Sequence, residues 1–515
     1  MKTLKYITLV LFVTLGSCSD IIDQYPENNV NTGTFYTTAA EIRTALNGCY
    51  NSLQKPVSNE WSLTELRSDN SIMSSPGTTA VSNFDLDYLD RFYPSTSHPG
   101  IESYWTNSYY AIKSANLVLN SLGANYNKTS GVIEVAAASK ATLTDAERKS
   151  FVAEACFIRA MQYYNLVRLY GGVFLIDEPI SPVEAKQINR SSVADIYKLI
   201  VADLVIASNN GSKTKFAAIP ATEVGTANSW AAKALLAKVY LNLNKKTDAI
   251  TLLNDIILNS GYGLQATYAN IFSITNEMNS EIIFAVRFKT GGLSLGNSLP
   301  NQFAPINSGS SIIIGSGRSY NSPSRELIDS YAADDLRKAV NIAVYSIGRP
   351  DQIYVNKFMS KPALINDAEN DWPVIRYADV LLMLSEAQGN TTSSWTQINL
   401  IHKRATGATV TPDIANIAVF EKALADERRW EFAFENQRFF DLLRFDTTMT
   451  TIKSETTIDN HFAYMYPIYY ITYTEPRLSL AQMQANANPN MFLLPIPQYE
   501  IDTNSFITIP QNPGY

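Results

Sequence analysis

In LADERRWEFAFENQRFFDLLRF, residues 424–445, acids and arginines alternate with aromatic rings more densely than anywhere else in the chain. Clustered carboxylates are what glycoside hydrolysis needs: one acid protonates the leaving group while a second attacks or activates water. Spacing decides against that use. Arg428 lies three residues before Glu431, Arg438 three after Glu435, and Arg444 three after Asp441. Residues so spaced are neighbours on a helix. An adjacent guanidinium keeps a carboxylate ionised, the reverse of the raised pKa that a general acid requires. Trp430, Phe432, Phe434, Phe439, Phe440 and Phe445 spread around such a helix instead of forming one stripe. The segment therefore reads as scaffold: a helix enclosed on several sides, its charges paired with each other and with neighbouring chain.

Other motifs carry less. Gly292-Leu293-Ser294-Leu295-Gly296 has the spelling of a nucleophile elbow, and a strand over 281–287 (EIIFAVR) precedes it. The elbow also needs a helix directly after the serine, to expose the hydroxyl and supply oxyanion donors. Asn297-Ser298-Leu299-Pro300 follows instead, which reads as loop. Three histidines (His98, His402, His461), with no HExxH and no paired CxxC, make no zinc set. Asp85-Leu86-Asp87-Tyr88-Leu89-Asp90 lacks the ligand spacing and the glycine of a calcium loop. Gly315-Ser316-Gly317 lacks the third glycine and the strand-to-helix context of a dinucleotide site. Both read as solvated loops. The chain thus offers no catalytic residue, no metal site and no cofactor site. A net charge of −7 without a local run of Lys and Arg also argues against nucleic acid.

The elements that must position any site are mainly helical. At 515 residues, 46% hydrophobic and 17% charged, the chain can bury a large core. Apolar periodicity predicts helices over 39–53, 101–122, 145–170 and 195–207. The third begins at the cap signal Thr144-Asp145-Ala146-Glu147 and ends at Gly171-Gly172. Residues 226–243 and 247–259 read as an alanine-rich helix, a short turn and a second amphipathic helix, a tetratricopeptide-like pair without a sustained 34-residue period. Stretches of roughly 56–100, 262–372 and 446–515 read as long irregular loops rich in Ser, Asn, Gly and Pro. Loops of that length inside a folded chain are where binding sites concentrate.

At the N-terminus Lys2 and Lys5 precede an apolar run, residues 6–15, that is too short to span a bilayer. The run ends in Leu15-Gly16-Ser17-Cys18, which resembles a bacterial lipoprotein signal cut before Cys18, with acylation of its thiol. On this reading residues 1–17 are the leader and 18–34 a polar tether. Residues 35–515 form one folded unit, helical to about 260 and loop-rich beyond. Cys49 and Cys156 remain, and spacing does not say whether they are bonded.

Several stretches together resemble the SusD/RagB family, the surface nutrient-binding lipoproteins of Bacteroidetes. They are residues 424–445, FVAEACFIRAMQYYNLVRLYGGVFL (151–175), WPVIRYADVLLMLSEA (372–387) and LLPIPQYEIDTNSFITIPQNPGY (493–515), in the family's order. The resemblance implies a mostly α, SusD-like fold with degenerate tetratricopeptide-like helix pairs and long irregular loops carrying a few short strands. It implies a non-catalytic protein, lipid-anchored in the outer membrane and facing the cell exterior. Such a protein captures oligosaccharides or polysaccharides, or in some relatives peptides, and caps a SusC-type TonB-dependent transporter as its lid. The acids after Cys18, Asp20 and Asp23, fit the family's surface-export pattern only in part.

Sugars present apolar C–H faces ringed by hydroxyls, so a receptor answers with Trp or Tyr platforms rimmed by Asp, Asn and Arg. Two stretches supply that chemistry. Trp61, Arg67, Asp69 and Asn70 lie at a helix-to-loop edge, and Arg318, Tyr320 and Asn321 lie in the second long loop. Trp395, near a helix start, reads as packing, while the resemblance places Trp105 in a helix of the family core and Trp372 at the start of a family motif.

Overall fold

The computed structural model describes residues 35–73, 84–347, 351–472 and 477–515. The expected leader, the expected tether and Cys18 lie outside them. The first helix, α1 (Ala39–Ser52), starts where the Thr38 side chain accepts from the Glu41 amide while the Glu41 carboxylate returns to Thr38. That reciprocal box satisfies donors that would otherwise be orphaned. Then come α2 (Gln54–Leu63), α3 (Phe84–Asp90) and α4 (Pro99–Ser121). The Asp85–Asp90 stretch is therefore helix and not solvated loop, with Asp87 and Asp90 buried.

Helix α5 (Asp145–Tyr170) opens on the expected Thr144–Glu147 box and stops at Gly171, whose φ of 70° is a conformation L side chains resist. All its residues from Phe151 to Tyr164 are buried. It is the central helix, apolar all round because it has neighbours all round. It packs on α4 and on α6 (Val193–Asn210). Arg159 of α5 and Asp203 of α6, both fully buried, meet at 2.7 Å. Helices α7 (Ser229–Asn242) and α8 (Lys246–Asn259) form the tetratricopeptide-like pair, with Ala231, Ala234 and Ala237 fully buried where helices approach closely.

The presumed loop regions hold more structure than their composition implies. Among the described residues eight strands form four antiparallel pairs. These are β1 (Ser71–Ile72) with β5 (Ser322–Pro323), β2 (Ala124–Asn127) with β3 (Val132–Val135), β4 (Ile282–Val286) with β8 (Trp372–Arg376), and β6 (Ile342–Tyr345) with β7 (Gln352–Val355). The strand expected at 281–287 is β4, buried throughout. Beyond β8 come α9 (Tyr377–Gln388), α10 (Thr392–Thr406), α11 (Ile417–Glu431), α12 (Arg438–Thr448), α13 (Ser454–Met465), α14 (Leu480–Asn486) and α15 (Gln498–Asp502). Three of these helices lie in 446–515, which composition alone assigned to loop. The largest core cluster draws side chains from Ile42 to Ile509. Cys49 and Cys156 are free, buried thiols within it. Trp105, Trp372 and Trp395 are buried packing residues. No helix of the described residues is long and apolar enough to cross a membrane.

Candidate ligand-binding site

The acid–arginine segment is two helices, not one. Helix α11 ends at Glu431, the chain turns through Phe434 (φ 66°) and Asn436 (φ 61°), and α12 begins at Arg438. Of the three expected local pairs only Asp441–Arg444 forms, at 3.0 Å. The other charges reach across the fold. Arg376 Nη1 meets Glu281 at 2.7 Å and Glu431 at 2.9 Å, and its Nε meets Glu435 at 2.7 Å. Arg404 contacts Glu281 at 2.7 Å and Glu431 at 2.5 Å. Arg337 holds Glu427 at 2.6 Å, and Lys357 holds Glu435 at 2.6 Å. Burial alone would raise the Glu431 pKa, but Arg404, Arg376 and Arg337 outweigh it and hold the carboxyl well below its usual range. Here the carboxylates fasten α11 and α12 to β4, β8 and α10.

The seven candidate ligand residues divide sharply. Arg67 is fully buried between the rings of Phe92 and Phe439, 5.0 and 4.6 Å from their centres, and donates to the Met491 carbonyl at 2.7 Å. Asp69 is buried under Arg438 (2.7 Å) and Arg429 (3.2 Å). Asn70, also buried, donates to Glu65 at 2.9 Å and accepts from Arg429 at 3.1 Å. These three polar side chains tie the stretch after α2 to α11, α12 and the segment before α15.

Trp61 and Tyr320, by contrast, come together. Pairing of β1 with β5 brings the two stretches side by side, and the two rings stack with centres 6.1 Å apart and planes 23° apart. Trp61 is 2% exposed, its indole N–H donates to Gln302 Oε1 at 3.0 Å, and Phe303 packs edge-on against it at 5.4 Å. Tyr320 is half-buried and Arg318 is exposed. The segment carrying them is clamped to the short helix Leu299–Phe303 by three backbone bonds: Arg318 N–H to Asn301, Tyr320 N–H to Gln302, and Ser319 N–H to Ala304, all 2.9–3.1 Å. Gly317 allows this approach, since a Cβ there would lie 2.1 Å from the Ala304 carbonyl oxygen. The result is one accessible ring on a rigid aromatic base with an exposed guanidinium two residues away. Gln302 and Phe303, which build that base, had no sequence signal. They lie some 240 residues from Trp61 in the chain, and only the fold brings them together.

Asn321 is fully buried at φ 55°, and neither of its amide atoms has a hydrogen-bond partner among the described residues. Both features disfavour a side chain there. Asn321→Gly is therefore expected to leave thermal stability unchanged or to raise it by a few degrees. Asn321→Val is expected to lower stability by more than about 1 kcal/mol, as read from urea midpoints.

The Ser294 segment forms no elbow. Ser294 sits at φ 60° in an exposed loop, and Asp367 accepts from the Gly291 and Gly292 amides at 2.8 and 2.9 Å, holding that loop to the next. A helical frame whose acid cluster is locked in ion pairs, carrying a stacked aromatic pair on clamped loops, fits the class of binding proteins.

Comparison with known proteins gives that class its family. The model of the SusD family matches residues 337–515, and one described as "Starch-binding associating with outer membrane" matches residues 22–241. SusD-like protein P25 of Formosa agariphila is 23% identical, over 98% of this chain and 97% of its own. Among solved structures, a laminarin binding SusD-like protein superposes with a TM-score of 0.73 at 24% identity, over 93% of this chain and all of its own. Surface glycan-binding protein A from Bacteroides thetaiotaomicron in complex with laminarihexaose superposes at 0.70, with 19% identity over 92% of this chain and all of its own. This chain belongs to the SusD/RagB family of non-catalytic binding proteins.

Proposed function

We propose that this protein captures oligosaccharides at the bacterial surface and delivers them to a SusC-type TonB-dependent transporter in the outer membrane, on which it sits as a lid. A lipid on Cys18 and the tether over 18–34 hold it there. The observation that carries the reading is the Tyr320 ring, half-buried and stacked on Trp61 beside exposed Arg318. A sugar ring lays its C–H face on such a platform, and a guanidinium donates to its hydroxyls. Similarity to a laminarin binding SusD-like protein and to a surface glycan-binding protein in complex with laminarihexaose supports the ligand class. In this reading Trp61 acts through Tyr320, and Arg67, Asp69, Asn70 and Asn321 act only by shaping the ground beneath.

The test is migration of the soluble form, starting after Cys18, through native gels that contain plant, host or microbial polysaccharides. One polymer is expected to retard it. Tyr320→Ala is expected to abolish the retardation, with affinity at least about tenfold weaker from the lost stacking of roughly 1–3 kcal/mol. Arg318→Ala is expected to weaken it less. Binding of peptides with no retardation by any polymer would overturn glycan capture in favour of peptide capture. Retardation unchanged in both variants would place the platform elsewhere.

A further inference from the structure

Away from that platform the chain leaves α5 as an extended strap, residues 173–181, bound to the surface from beneath. Tyr109 donates to the Phe174 carbonyl at 2.8 Å, Tyr163 to that of Ile176 at 2.9 Å, and Arg159 to that of Asp177 at 2.8 Å. With its backbone so pinned, the strap keeps Leu175, Ile176 and Ile180 half-exposed. Two cavities, of about 350 and 260 Å³, open along it and share Ile176 as a wall.

The larger cavity is lined by Tyr126, from the β2–β3 hairpin, and by Ile176, Ile188 and Lys198. Tyr126 is half-buried. Around the rim Lys128 pairs with Asp177 at 3.1 Å and Lys198 with Asp195 at 2.8 Å. The smaller cavity is lined by Tyr109 and Phe174 together with Glu500, Thr503 and Asn504. Helix α4 divides this region from the first platform. Its Tyr104 bonds Glu60 of α2 at 2.8 Å, while Trp105 and Tyr109, one turn apart, face the cavity.

We propose that the strap groove is a second saccharide-binding site, taking a short neutral oligosaccharide across Ile176 with one sugar over Tyr126 and another in the Tyr109 cavity. Aliphatic and aromatic floors receive C–H faces, and rims of hydroxyl, amide and paired charges supply donors and acceptors for sugar hydroxyls. The lysines of the larger rim already face carboxylates, and Glu178 adds a further acid, so the groove offers no free cation to reward an anionic ligand. The ligand class rests on the proposed glycan capture, whereas the site does not involve Trp61 or Tyr320.

The test is isothermal titration of the full lipoprotein in detergent with hexasaccharides from β-1,3-, β-1,4- and α-1,4-glucan and β-1,4-mannan. It compares the wild type with Tyr126→Ala, cavity-filling Ile188→Trp and Tyr320→Ala, with melting temperatures as the folding control. Two binding events are expected for one hexasaccharide. Tyr126→Ala and Ile188→Trp should each remove one, weakening it at least about tenfold, and Tyr320→Ala should remove the other. A single event, lost in Tyr126→Ala yet insensitive to Tyr320→Ala, would support the groove and overturn only the first platform. A single event that disappears in Tyr320→Ala and persists in both groove variants would overturn the groove and leave glycan capture standing. If no hexasaccharide binds the wild type the groove is also overturned, and the polymer gels decide glycan capture separately.

Discussion

Replacing Arg376 with methionine is expected to cost about 3–5 kcal/mol of unfolding free energy, enough to unfold a marginal protein. The side chain is 1% exposed and its guanidinium meets three carboxylates: Glu281, Glu431 and Glu435. It also donates to the Glu431 carbonyl at 3.0 Å. Methionine fills the volume, so the loss measures charge and not cavity. Glu281 would keep Arg404 and Glu435 would keep Lys357, but neither would remain neutralised as it is now. Because Arg376 closes β8 and precedes α9, the same change loosens the join between the β4–β8 pair and the acid–arginine helices. Urea unfolding followed by circular dichroism reads the cost directly. A loss below about 1 kcal/mol would mean that these contacts behave as surface pairs do.

Acid is expected to unfold the protein through the carboxylates of this frame. Asp69, Asp379, Glu431 and Asp441 are all buried, and burial alone would raise each pKa. Arginine partners outweigh burial at Asp69, Glu431 and Asp441, and Lys238 with Arg428 does so at Asp379, holding the carboxyls below their usual range. A folded pKa below the unfolded one means that the unfolded chain takes up protons first. The stabilisation is complete above about pH 4–4.5 and is lost as pH falls through the folded values. Glu65 and Asp90 act in the opposite sense. Burial raises both to about 7, so their folded forms hold protons that the unfolded chain has released. Stability is therefore expected to rise modestly as pH drops from about 7.5, to peak near about pH 5, and to collapse below about pH 4. Glu65→Gln should flatten the limb between the peak and neutrality. Urea midpoints across this range test both limbs, and a profile flat to about pH 3 would remove the buried pairs from the stability account.

Much of the frame was legible because its cause is local. Thr38 and Thr144 cap the helices they precede, and Gly171 ends α5, because capping and positive φ are properties of a few adjacent residues. The C-terminal PQNPGY also has a physical role that its sequence does not explain. Asn512 donates to the carbonyls of Tyr170 and Leu494, and Arg190 bonds the Pro510 carbonyl and the Asn512 side chain, so the terminus locks the exit of α5. The segment 424–445 was readable as scaffold, but its pairing was not. The positive-φ break at Phe434 and Asn436 removed the helical relation between Glu435 and Arg438, and distant groups took up the charges instead, Arg376 meeting Glu431 and Asp69 meeting Arg438.

What the sequence determined by itself was composition and local chemistry: a helical, acidic chain without a catalytic or metal-ligand pattern, with family motifs in order and aromatic–polar stretches at 61–70 and 318–321. Which residues of those stretches remain accessible was decided by tertiary structure. Arg67, Asp69 and Asn70 have the same chemistry as a sugar-binding rim, yet long-range partners bury them. Tyr320 stays open because β1–β5 pairing and the clamp on residues 301–304 hold its ring on Trp61 at the surface. Side-chain type is written in one position; exposure depends on every segment that folds over it.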